Sequence, residues 1–168
     1  TERMVKEPVT FIECFYKIFD EILVNAIDHH HRIADKQKTN ISLKSVRRIS
    51  VEINEETGII SVENDGEGLD VVMHEKFGCY VPQVVFGELL TSINYDIKEQ
   101  RTVGGKNGYG AKITNIFSKE FTIETVDSRR KLLYKQTWRD NMKICELPVI
   151  EPWTKSPYTR ITYLPEYE

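Results

Sequence analysis

FIECFYKIFDEILVNAID, residues 11–28, repeats apolar side chains at helical spacing. Phe15, Ile18, Phe19, Ile22 and Ala26 fall on one side, the pattern of a helix laid on a core. A chain built around such a helix must supply a second layer to cover that side. The opposite side carries Glu21, Asn25 and Asp28 at i, i+4 and i+7, so an acid, an amide and an acid stand along one line. Lys17 is the one basic residue there, which leaves the line open to a cation; a solvated acidic face is the other reading. Asn favours caps and turns over helix interiors, so Asn25 is a local inconsistency of the kind found at functional sites.

The helix is expected to start at Phe11, with Thr10 as N-cap, Glu13 as its capping-box partner and Pro8 just ahead. His29, His30 and His31 follow directly. Consecutive helical residues point 100° apart and cannot easily chelate one ion, so these histidines are read as a helix C-terminus rather than a metal site. Residues 35–46 are polar and read as a loop. Ile49, Val51 and Ile53 alternate with polar residues, and alternation resumes at 59–63, as in a hairpin. The second strand runs into Asn64-Asp65-Gly66-Glu67-Gly68; such glycines let the backbone approach a ligand, and equally serve a tight turn. A second helix is expected from Tyr80 to about Ile93, with Pro82 in its first turn. Strands follow at 121–126, 132–138, 143–149 and 158–164. Short turns between them favour antiparallel pairing. The fold class is therefore α+β: a two-layer sandwich with a largely antiparallel mixed sheet and helices on one face.

With 168 residues the chain is read as one domain. Cys14, Cys79 and Cys145 are odd in number and widely spaced, which argues against a disulfide framework or a zinc site and for an intracellular protein. No run approaches a membrane span, so no membrane partner is expected. A net charge of -3 does not suit a free-standing nucleic-acid binder, and any DNA contact is expected from other parts of a larger protein.

Gly104-Gly105-Lys106-Asn107-Gly108-Tyr109-Gly110-Ala111-Lys112 leads into Ile113, Ile116 and Phe117 at helical spacing. A glycine-rich loop ending at a helix N-terminus suits phosphate, because free N–H groups and the helix dipole converge there. It is not a P-loop, since Ala111 stands where the lysine belongs and Ile113 follows Lys112 in place of Ser or Thr. It is not a dinucleotide fingerprint either, because no βαβ alternation surrounds it.

Taken in order, the acid and asparagine one turn apart, NDGEG and GGKNGYGAK resemble the Bergerat (GHKL-type) nucleotide-binding fold shared by DNA gyrase, histidine kinases, an ATP-driven heat-shock chaperone and a mismatch-repair ATPase. YKIFDEILVNAID (16–28), YVPQVVFGELLTSINYD (80–96), GGKNGYGAK (104–112), NIFS (115–118) and KQTW (135–138) resemble more closely the ATPase domain of eukaryotic-type DNA topoisomerase II. The resemblance implies Glu21 as the general base for attack of water on the γ-phosphate and Asn25 as an oxygen ligand of Mg²⁺. It implies Asn64 as acceptor for the adenine amino group, with Gly68 close by. Ser92, Ile93 and Asn94 fall on nucleoside and phosphate contacts, and Gly105, Lys106, Asn107, Gly108, Tyr109, Gly110, Ala111 and Lys112 form the phosphate-binding lid. Thr162 falls in the last motif, which closes the adenine pocket. Ile93 and Lys106 depart from the usual Ser and Arg, Leu69-Asp70 replaces Ile-Pro, and the 32–46 loop is long.

The resemblance further implies ATP and Mg²⁺ as cofactors, a homodimer in the full-length enzyme, double-stranded DNA bound through other domains, and the nucleus as site of action. The 168 residues are then a fragment, weakly active alone, with the transducer and the DNA-cleavage core absent. An ATP-operated clamp of a chaperone or mismatch-repair protein, or a non-hydrolysing nucleotide sensor, is the competing reading. The sensor would lack the acid at 21 or the amide at 25.

Overall fold

The computed structural model describes residues 4, 6–8, 10–39, 42–88 and 109–167. Ser92, Ile93, Asn94, Gly105, Lys106, Asn107 and Gly108 lie outside the described residues.

Helix α1 is Glu13–Gln37, 25 residues, and differs from expectation at both ends. Its N-cap is Ile12, in extended conformation with no side-chain cap bond, so the Thr10–Glu13 capping box does not form. At the other end it runs through all three histidines. Ile22, Ala26, His29 and Ile33 continue one buried stripe, and no Gly or Pro interrupts it, so packing carries the helix past Asp28.

The main sheet has seven strands. β1 (Ile49–Ile53) and β2 (Ile60–Asp65) form the expected hairpin; β5 (Ser118–Asp127) and β6 (Leu132–Arg139) form another. β9 (Tyr158–Pro165) lies between β2 and β5, antiparallel to both. The strand expected at 143–149 is instead two pieces, β7 (Ile144–Cys145) and β8 (Val149–Pro152), both paired to β6. Glu146 still bonds Thr137, but Pro148 lacks an N–H to continue the ladder. A small hairpin, β3 (Met73–His74) with β4 (Cys79–Tyr80), was not foreseen.

The register separates the two faces. Val62, Ile161 and Ile123 form one row and Tyr163, Phe121 and Trp138 another, and both rows meet Ile18, Ile22 and Ala26 of α1. Burying such a side chain contributes roughly 1.5–3 kcal/mol. The other face is polar: Ser61 meets Thr162, Thr122 meets Thr137, and Glu63, Arg160, Glu124 and Lys135 form an alternating charge row across four strands.

Two short helices complete the covered face. α2 (Val81–Gly87) ends sooner than expected, with Glu88 extended. Gly87 sits against the Trp138 indole, where a larger side chain would collide. α3 (Gly110–Ile116) reverses its expected face: Lys112, Thr114 and Asn115 are buried, while Ile113 and Phe117 are 38% and 53% exposed. Hydrogen bonds account for much of this, since Thr114 donates to the Ile18 carbonyl at 2.9 Å and Asn115 to the Phe86 carbonyl at 3.1 Å.

Candidate functional site

α1 sets out the polar row. Glu21 and Asn25 are half-buried one turn apart on its flank, and Asp28 follows. Lys17, one turn before, approaches the Glu21 carboxylate at 2.7 Å. The hydrogen bonds that Lys17 donates to Glu21 and then to Asp20 hold its ammonium above its ordinary range. The backbone of Gly110 presses on the same carboxylate, where any Cβ would overlap it. The end of the glycine-rich segment and the start of α3 therefore stand directly over the acid. Thr114 pins α3 there through Ile18. Ala111 is buried in the core, Tyr109 is half-buried at the helix entry, and Lys112 is fully buried. Burial pushes the Lys112 ammonium down to about 8, with the Glu88 charge opposing.

The 64–68 turn, at the end of β2, is fastened on several sides. Asn64 is buried on the helix-covered face, and its Nδ2 donates to the Asp65 carbonyl at 3.0 Å. Asp65 Oδ1 accepts the Arg47 and Arg48 amides at 2.7 and 2.8 Å. Gly66 has φ 90 and lies on the Ser45 backbone, so both conformation and space require glycine. Gly68 abuts Val126 and Thr125 in β5 and donates to the Val126 carbonyl at 3.2 Å. The close approaches that these two glycines permit are thus made, in this structure, to the chain's own backbone.

Thr162 requires correction. It pairs with Ser61 and Thr122 on the polar face, away from Asn64 and the helices. Thr159 is the residue beside Asn64 in the register; its hydroxyl lies 2.9 Å from that of Thr125, which also accepts the Leu69 amide at 2.9 Å. A period-two reading would have found it, since Ile161 and Tyr163 face the core and Thr159 shares their parity.

The histidines also differ from expectation. His29 is buried, with Nε2 at 2.5 Å from the Glu67 carbonyl and Nδ1 at 2.7 Å from Arg32 Nη2. Burial, then the Arg32 charge, pushes it down to about 4. The Glu67 carboxylate accepts from the Ser128 hydroxyl at 2.6 Å. No signal short of the full period of α1 marks His29 as buried.

Among the described residues no group of three or more His, Cys, Asp or Glu could hold a metal ion. A row of one acid and one amide instead suits a hard cation that keeps its waters and takes its remaining ligands from phosphate, as Mg²⁺ does. Acid, amide and the entry of α3 thus meet on one flank of α1, with Lys112 buried in the first turn of α3 and the buried amide of Asn64 at the sheet.

Residues 12–138 match the family described as histidine kinase-, DNA gyrase B-, and HSP90-like ATPase. The chain is 46% identical over 166 residues to DNA topoisomerase 2 of Acanthamoeba polyphaga mimivirus, covering 99% of this chain and 12% of that protein. It is 47% identical over 164 residues to DNA topoisomerase 2 of Plasmodium falciparum, covering 98% and 11%. The chain thus spans about one tenth of the length of these curated relatives. The solved ATPase region of Saccharomyces cerevisiae topoisomerase II superposes with a TM-score of 0.84 at 44% identity, covering 96% of this chain and 40% of that one.

Proposed function

Because the chain belongs to the histidine kinase-, DNA gyrase B-, and HSP90-like ATPase family, we propose that it is the ATP-binding and hydrolysing gate of a type IIA DNA topoisomerase. In this reading residues 1–168 are one domain of a longer nuclear enzyme that works as a homodimer. Closure of the dimer on ATP is coupled to passage of one DNA duplex through another, and DNA is bound and cut by other domains. The mimiviral and protozoan relatives named DNA topoisomerase 2 support it.

The observation that carries the chemistry is the meeting of Glu21 with Gly110 at the entry to α3. It puts a carboxylate beside the backbone that would receive a terminal phosphate. Glu21 orients an attacking water and accepts its proton, and Lys17 pairs with the carboxylate at 2.7 Å. Asn25 offers an amide oxygen to Mg²⁺, which, when bound, supplies charge neutralisation on the phosphate oxygens. Lys112, with the Tyr109, Gly110 and Ala111 backbone and the glycines before them, holds the phosphate end. Ser92, Ile93 and Asn94 meet the nucleoside and phosphates. Asn64 and Gly68 take the adenine end, with Thr159 in the place first given to Thr162. The buried Asn64 amide beside Thr159 supports that assignment.

The test is nucleotide affinity measured beside steady-state hydrolysis. Glu21→Gln in the full-length enzyme is expected to keep Mg·ATP binding and lose about 10²–10⁴-fold in turnover. A variant that hydrolyses at the parent rate refutes the role of Glu21. Failure of the full-length protein to relax supercoiled DNA in the presence of ATP refutes the topoisomerase reading.

A further inference from the structure

We propose that His29 is a positioning residue for the nucleotide site: its imidazole bridges Arg32 to the Glu67 carbonyl and so keeps the 64–68 turn in register with the helix that carries Glu21 and Asn25. The inference rests on the reading of Asn64 as the adenine-side contact.

Both ring nitrogens are in use. The Glu67 carbonyl, 2.5 Å from Nε2, can only accept, so Nε2 carries the hydrogen. Arg32 Nη2, 2.7 Å from Nδ1, can only donate, so Nδ1 is the acceptor. One tautomer satisfies both neighbours, and a second proton would meet the guanidinium. Arg32 is half-buried; desolvation draws its guanidinium below its ordinary range and the Asp28 charge opposes this, so Asp28, Arg32 and His29 form a chain from the polar row of α1 to the turn.

The other fastenings of the turn come from different parts of the fold. Gly66 donates to Pro157, Glu67 to Lys44 and Gly68 to Val126, while the Glu67 carboxylate grips Ser128. The hydrogen bond from His29 to Glu67 ties the turn directly to α1. Without it, the sheet and loops still shape the turn, but from the helix side its distance from Glu21 and Asn25 is set only by the packing of Ile22 and Ala26 on Val62. A nucleotide that touches both the turn and the helix needs that distance held.

The test combines three readings on the chain itself. In ¹⁵N spectra His29 is expected as the neutral Nε2–H tautomer, unchanged between pH 7.5 and about 5. His29→Leu, which keeps bulk without a donor, is expected to weaken Mg·ADP binding about ten-fold and to speed amide exchange at Glu67 and Gly68. His29→Gln, whose amide nitrogen reaches about as far as Nε2, should restore affinity to within about three-fold of the parent at equal thermal stability. Equal affinities of the leucine variant and the parent overturn the proposal, as does equal loss in both variants, which marks His29 as packing alone. If the leucine variant does not fold, the ring decides: an Nδ1–H tautomer or titration near the ordinary value of 6.5 overturns it. A parent chain that binds no nucleotide refutes the functional reading instead, while the tautomer and exchange still report on the bridge.

Discussion

Tyr134 and Tyr163 stand on the same face of the sheet, 0% and 1% exposed, yet differ in one respect. The Tyr134 hydroxyl donates to Gln136 Oε1 at 2.5 Å, whereas the Tyr163 hydroxyl is fully buried with no hydrogen-bond partner among the described residues. A buried hydroxyl without a partner costs about 1–3 kcal/mol, and replacing Tyr by Phe removes it with almost no change of shape. Tyr163→Phe is therefore expected to stabilise the chain by about 1–2 kcal/mol. Tyr134→Phe strands the Gln136 oxygen and should cost about 1–2 kcal/mol. The two variants delete the same atom from the same layer, so effects on the unfolded chain cancel between them. At roughly 2–4 °C per kcal/mol for a chain of this size, their melting temperatures should differ by about 4–16 °C, with the parent between them. Urea unfolding with unchanged slopes is the assay. A destabilised Tyr163→Phe refutes the reasoning, because it means that the hydroxyl has a partner that stabilises the fold.

Three further outcomes follow from the site. Gly110→Ala drives a methyl group into the Glu21 carboxylate, so the full-length enzyme should lose at least about ten-fold in ATP turnover with a melting temperature within a few degrees of the parent; unchanged turnover counts against the contact. Thr159→Val should weaken Mg·ADP binding by about five- to ten-fold in calorimetry, and Thr162→Val should not, because only Thr159 shares a face with Asn64; the reverse order restores the sequence assignment. His29 titrates near 4 in the fold against about 6.5 unfolded, so the unfolded chain takes up a proton first as pH falls. Stability is then full above about 6.5, declines between 6.5 and 4 and levels below, by up to about 3 kcal/mol. Urea melts from pH 7.5 to 5 should show this slope, and His29→Gln should flatten it.

The parts of the fold legible in sequence were those in which one periodic signal dominated. The apolar side of α1 and the 49–63 hairpin fall into this class: burial selects the face of α1, and strict alternation marks the hairpin although Val51 and Ile53 stay exposed. α3 misled because its buried positions are polar: Lys112, Thr114 and Asn115 are inside, and Thr114 and Asn115 are held there by hydrogen bonds to α1 and α2 that hydropathy cannot register. Thr162 misled because a motif was matched by residue type rather than by strand parity. The end of α1 misled because histidines were weighed by charge, whereas His29 is buried neutral. Glu21 and Asn25 were visible as residues out of keeping with a solvated helix, but that Gly110 rests on Glu21 is a fact of tertiary contact alone.

β9, the last strand in chain order, lies between β2 and β5. On a ribosome, the two hairpins would emerge early, each local and quick to form. They could not join until residues 158–165 had cleared the exit tunnel, because Glu63 and Glu124 face each other only with Arg160 between them. Asn64 and Thr125 come to opposite sides of Thr159 in that same event. The part of the candidate site around Asn64 and Thr159 is therefore completed only when β9 docks, a step that closes contacts about a hundred residues apart, and a nascent chain would gain it all at once.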